Sequence, residues 1–222
     1  MRLISSKEDL KELVDELGFL PFFKNEIAGF SIEERILPRL WFSDTEDGPW
    51  EWKGEVICET GCAYGKLFCG KAGFVSAKWY PDFANYRRDG YDFDARCEDG
   101  LVPYSDKLVY EIIAGRDSLL SKEVKRLGGF SKRGKSGFDS IIARLQMLCY
   151  VTTADFEYQR DRHGKPYGWG VARYATPENH FKEPFCNAVY QRSPQESKQR
   201  ILKHLSTILP NATENERERL LH

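Results

Sequence analysis

Ser105-Asp106-Lys107-Leu108-Val109-Tyr110-Glu111-Ile112-Ile113-Ala114-Gly115 opens the stretch that decides the fold. It continues through Ser118-Leu119-Leu120-Ser121 to Gly137-Phe138-Asp139-Ser140-Ile141-Ile142-Ala143-Arg144-Leu145-Gln146. Leu108, Val109, Ile112 and Ile113 fall on one face of a helix that Ser105 or Asp106 caps and Gly115 ends. Ser118-Leu119-Leu120 reads as a short extended piece. Ser121 caps a second helix with Val124 and Leu127 inward, broken at Gly128-Gly129. A polar loop, 131–136, leads to a third helix with Phe138, Ile141, Ile142, Leu145 and Leu148 on one face. Two β-rich runs follow, 150–158 and 167–174, and the segment joining them carries the Gly164 and Pro166 that a hairpin tip requires. Helix, short strand, helix, turn, helix, hairpin is the order of a winged helix-turn-helix, predicted here for residues 101–178.

On the N-terminal side, residues 1–100 read as a unit of helix and small antiparallel sheet. Ser5-Ser6-Lys7-Glu8 is a capping-box start, and Leu10, Leu13, Val14 and Leu17 form a helical stripe that Gly18 stops. Asp47-Gly48-Pro49 is a turn signal, and residues 54–76 read as short strands. Residues 79–88 form a helix or a bent segment, with Pro81 near the start, and 89–103 is a polar connection. Residues 179–222 are helical. Ser193-Pro194-Gln195-Glu196 supplies a cap, a first-turn proline and a glutamate, ahead of Ile201, Leu202, Leu205 and Leu209; Thr213 starts a further helix. The expected class is α+β: an N-terminal helix and small sheet, a winged helix-turn-helix, and C-terminal helices.

With 222 residues the chain suits one large domain or two small ones, and 41% hydrophobic residues are ample for a core. No apolar run approaches the roughly 20 residues that cross a membrane. The first fifteen residues interleave acids with leucines and hold no apolar signal core, so a cytoplasmic location is expected. None of the six cysteines forms a Cys-x-x-Cys pair or has a histidine at ligand spacing, so reduced thiols, no metal and no cofactor are expected. His163, His180 and His204 read as ordinary surface residues.

The net charge of −1 hides a polarity. Residues 1–60 hold 7 Lys and Arg against 14 Asp and Glu, whereas residues 119–174 hold 11 against 5. Such asymmetry marks a local polyanion-binding face. With its apolar face turned inward, the third helix leaves Ser136, Ser140 and Arg144 outward, and Lys132, Arg133 and Lys135 lie on the approach loop. Arginine reads guanine through two hydrogen bonds, while lysine and serine suit phosphate oxygens. Arg160, Arg162 and Lys165 at the hairpin tip are placed for backbone or minor groove. DNA is therefore the expected partner, duplex rather than single-stranded. Residues 129–136 also match the phosphate-loop pattern G-x-x-x-x-G-K-S, but a polar helix rather than a buried strand precedes them, so nucleotide hydrolysis is not expected.

The N-terminal unit is rich in aromatic residues, among them Trp41, Trp50, Trp52, Tyr64 and Trp79. Such rings form core or hold an unstacked base. Glu51 and Asp82 lie among them and are candidates for a catalytic carboxylate. Asn85-Tyr86-Arg87-Arg88 extends a phosphate-binding surface or is a solvated helix face.

Several short runs resemble one bacterial family. Trp50-Glu51-Trp52-Lys53, Gly70-Lys71-Ala72-Gly73-Phe74, Trp79-Tyr80-Pro81-Asp82-Phe83, Asn85-Tyr86-Arg87-Arg88, Gly137-Phe138-Asp139 and Pro166-Tyr167-Gly168-Trp169-Gly170 look like the AlkZ-related proteins. That resemblance implies a distant kinship to the AlkZ/YcaQ DNA glycosylases, which use winged helices around DNA and a Gln-x-Gln catalytic motif. Here Gln146, Gln159, Gln191, Gln195 and Gln199 include no two separated by one residue, so no catalytic residue carries over. The expectation is a winged-helix DNA-binding protein in DNA repair. The alternatives are a glycosylase acting on alkylated or crosslinked bases and a winged helix that docks proteins.

Overall fold

Ser6 starts helix α1 (Lys7–Leu17): its hydroxyl accepts from the Asp9 amide at 3.1 Å, and Gly18 ends the helix at φ +74°. Only glycine suits this corner, because a Cβ there would also come within 2.4 Å of the Trp79 ring. The computed structural model describes residues 2–43, 45–131, 134–160, 162–163 and 166–222, and the backbone alone of 159, 160, 166, 167 and 169. Next come β1 (Phe19–Pro21), α2 (Ile32–Arg35) and α3 (Pro38–Trp41). Helix α4 (Pro49–Thr60) is followed by β2 (Ala63–Phe68) and β3 (Lys71–Val75), which with β1 form an antiparallel sheet of order β1-β3-β2.

Helix α4 corrects the strand reading of 54–60. Gly48 is its N-cap rather than a turn, Pro49 occupies the first helical position, and the Glu51 carboxylate accepts from the Gly48 amide at 2.9 Å. Proline there loses no needed hydrogen bond, so a Gly-Pro pair opens a helix as readily as it makes a turn. Residues 79–88 resolve as helix α5 (Tyr80–Arg88), and the polar connection contains α6 (Phe93–Glu98).

The elements that follow are α7 (Tyr104–Ala114), β4 (Leu119–Leu120), α8 (Ser121–Leu127), α9 (Phe138–Met147), β5 (Thr152–Arg160) and β6 (Pro166–Ala175). The sheet is antiparallel in the order β4-β6-β5, with Leu119 opposite Tyr174 and Thr152 opposite Ala175. Pro103 precedes α7, so neither Ser105 nor Asp106 caps it; Asp106 lies within the first turn. Likewise Ser121 is inside α8, and Leu120 is the cap residue, its amide held by Glu123 at 2.9 Å. The chain ends with α10 (Pro177–Phe181), α11 (Glu183–Ala188), α12 (Pro194–Ile208) and α13 (Glu214–Leu220), the last two each opened by a capping box. No helix among the described residues is long and apolar enough to cross a membrane.

The buried residues form two cores. One gathers α1, the β1-β3-β2 sheet, α4 and α5 with Phe185, Ile201, Leu205 and Leu221 from the C-terminal helices. The other holds Val109, Ile113, Val124, Phe138, Ile141, Ile142, Leu145 and Val151, with Phe93 from α6. Arg88 of α5 joins them, being only 1% exposed. It donates to the Cys149 carbonyl at 2.7 and 3.2 Å, and to Glu178 and the Tyr190 hydroxyl at 2.8 Å each. The rings of Tyr150 and Phe185 flank its guanidinium. A buried cation requires such partners, because an unsatisfied one costs several kcal/mol.

The β5–β6 hairpin leans on the N-terminal unit. The Thr152 hydroxyl meets the Tyr64 backbone, and the Tyr158 hydroxyl donates to the Trp50 carbonyl at 3.0 Å. Helix α9 seats against β2 through Gln146, which accepts from the Lys66 amide and donates to Thr153. A Cβ at Gly65 would lie 3.0 Å from the Gln146 side chain, so this approach depends on glycine.

Candidate nucleic-acid interface

Helix α9 is covered on two sides. Phe138, Ile141, Ile142 and Leu145 enter the second core, and Gln146 is spent on β2. Its open side is the first two turns and the loop before them, where Lys135, Ser136, Asp139 and Ser140 are exposed. Asp139 pairs with Lys125 of α8 at 3.2 Å, so the acid on this face is partly neutralised. Lys122 and Arg126 of α8 are exposed too.

Arg144 is about half exposed and grips Asp106 of α7, with Nε at 3.0 Å and Nη2 at 2.7 Å. Hydrogen bonding to Asp106 holds the guanidinium above its ordinary range. A guanidinium carries five N–H groups in two forks, and Asp106 takes the fork formed by Nε and Nη2. Nη1 makes no hydrogen bond among the described residues, and the side chain is about half exposed.

Of the hairpin residues, Arg162 is exposed and donates to His163 at 3.0 Å, and Arg160 ends β5 in register with Pro166. Lys132, Arg133 and Lys165 lie outside the described residues, and of Arg160 only the backbone is described.

The two candidate carboxylates are occupied with structure. Glu51 caps α4, as above. Asp82 is 7% exposed and ties α5 to α12, accepting from Ser197 at 2.9 Å and from Arg200 at 3.1 Å. Neither lines the apolar cavity of about 280 Å³ bounded by Pro21, Phe23, Ile27, Phe68 and Leu220 with Lys71 and Arg219. Two histidines expected at the surface are packed instead. His204 stacks on Trp79 at 4.3 Å and meets the Leu17 carbonyl, while His180 meets the Cys62 carbonyl and is lowered by burial.

Periodicity gave no sign of Lys53. It is 6% exposed, with its ammonium 4.4 Å from the Phe156 ring centre and 5.5 Å from that of Trp50. Burial pushes its pKa down to about 8, against an upward pull from Glu51. Alternating charged and apolar residues in 49–60 concealed the helix that buries it.

Taken together, the chain is an α+β protein whose second core presents a helix with an exposed, hydroxyl- and cation-bearing start. It belongs to the AlkZ-related family, whose model matches residues 4–222. No curated protein matches it. Among solved structures it is similar to the Streptomyces sahachiroi DNA glycosylase AlkZ, with 14% identity and a TM-score of 0.48, covering 91% of this chain and 51% of that one. The chain thus spans about half the length of that protein.

Proposed function

We propose that residues 101–178 are a winged helix-turn-helix that grips duplex DNA, in the service of DNA repair. The observation that carries the reading is the open start of α9, where Lys135, Ser136 and Ser140 are exposed while the apolar face is buried. In this reading α9 enters the major groove, as the third helix of such units does, and its partial positive N-terminal end faces phosphate. Asp106 acts as a positioning residue that sets Arg144, whose second fork meets a phosphate or a guanine edge. Lys132 and Arg133 approach the backbone, and Arg160, Arg162 and Lys165 on the hairpin contact the flanking groove. Membership of the AlkZ-related family, with its resemblance to DNA glycosylases, supplies the repair context.

The test is a salt series of duplex binding, read by fluorescence anisotropy. Affinity is expected to fall steeply as salt rises, because each neutralised phosphate releases counterions. Replacing Lys132, Arg133 and Lys135 together by Ala is expected to weaken binding and flatten the salt slope by about one per lost phosphate contact. Affinity that ignores both salt and the triple variant would remove the proposal. Incubation with alkylated duplex and heating to cleave abasic sites separates a binder from a glycosylase.

A further inference from the structure

Arg144 shares an open cleft of about 530 Å³ with Tyr86, Arg87, Asp89, Met147 and Leu148. The cleft lies where the C-terminal half of α9 meets the end of α5, so it joins two segments far apart in sequence. Arg87 is the unusual member. Its Nη2 donates to the Leu67 carbonyl at 2.6 Å and its guanidinium lies 5.0 Å from the Phe83 ring centre, while its Nε is buried without a hydrogen-bond partner. Burial lowers its pKa, and no carboxylate counts among the groups that oppose the shift. Charges withdrawn from water are normally paired. This one has no counter-ion among the described residues.

Arg144, which lines the same cleft, is fixed by Asp106 through Nε and Nη2, and its Nη1 makes no hydrogen bond among the described residues. Two guanidiniums that line one cleft together with the apolar Met147 and Leu148 suit a tetrahedral oxyanion with several acceptor oxygens. Asp89 is the one acidic side chain among the lining residues, which also include His222, and it favours a singly charged guest over a more highly charged one.

We infer that this cleft receives one backbone phosphodiester of the DNA bound by α9, held between Arg87 and Arg144. The inference rests on the winged-helix reading and enlarges it: the nucleic-acid surface crosses from the helix-turn-helix onto α5 of the N-terminal unit.

The experiment compares duplex binding across a salt series for the parent chain, Arg87→Gln, Met147→Glu and Lys135→Ala, with thermal melting of each. Arg87→Gln is expected to weaken binding roughly tenfold and reduce the salt slope by about one. Because Arg87 also supports the Leu67 carbonyl, Met147→Glu serves as the second probe. It places a negative charge in the cleft and is expected to weaken binding with little change in melting. If both cleft variants fold and bind as the parent does while Lys135→Ala binds more weakly, the cleft is overturned and the winged-helix reading stands. If Lys135→Ala is silent as well, both fall.

Discussion

Asp106 and Arg144, 38 residues apart, form a two-pronged ion pair in which the acid is 4% exposed and the base about half exposed. The pair fastens α7 to α9 and fixes the helix proposed to meet DNA. An arginine on the outer face of a recognition helix is normally read as a contact residue. Here it is a structural residue, and the DNA contact proposed for it uses the part of the group that Asp106 leaves free.

Arg144→Ala is therefore expected to cost stability, since it leaves the buried Asp106 carboxylate with only the Ser105 hydroxyl as side-chain donor. A fully buried pair broken this way costs about 3–5 kcal/mol. With Arg144 half in water, about 1–3 kcal/mol is expected, a fall of several degrees in melting temperature. A variant that melts with the parent would show that Asp106 does not depend on it.

Arg88→Met is expected to do more. It leaves the Glu178 carboxylate, the Tyr190 hydroxyl and the Cys149 carbonyl without their shared donor. A loss of about 3–5 kcal/mol is expected in urea denaturation. A loss below about 1 kcal/mol, within the range of an exposed pair, would refute the role assigned to it.

Lys53 makes stability depend on pH. It titrates near 8 in the folded chain against an ordinary value of 10.5. Between those values the unfolded chain binds more protons, so stability rises with pH across that window, and below about 8 the penalty is fully present. Lys53→Met is expected to raise the melting temperature at pH 7 and to raise it less at pH 9.5. A gain of the same size at both pH values would contradict the burial argument.

Glu51 is expected to behave as a cap. Glu51→Gln retains an acceptor for the Gly48 amide and is expected to melt near the parent, whereas Glu51→Ala loses about 0.5–2 kcal/mol. If lesion cleavage is detected and Glu51→Gln abolishes it without altering melting, the carboxylate is chemical rather than structural.

What could be read in advance was local. The stripe of Ile141, Ile142 and Leu145, the glycines at 115 and 128, and the boxes at Ser193 and Thr213 all act within a few residues. The same locality misled at Gly48-Pro49, which begins a helix or a turn depending on what the following residues pack against. The long-range pairings, Asp106 with Arg144, Gln146 with the Lys66 amide and Arg88 with Cys149 and Glu178, join partners 38 to 90 residues apart. No periodicity records such distances. Of the candidate site, Ser136 and Ser140 could be named from the helix face and Lys135 from the loop that leads to it, but the occupation of Glu51 and Asp82 by caps and locks could not.

Arg88 also bears on how the molecule comes apart. Its guanidinium is flanked by Tyr150 of one core and Phe185 of the other, so loss of packing in either removes contacts that hold the buried charge. Heating is expected to give one sharp transition rather than two. Limited proteolysis between the halves is expected to leave fragments that cling together or collapse, not two free-standing modules.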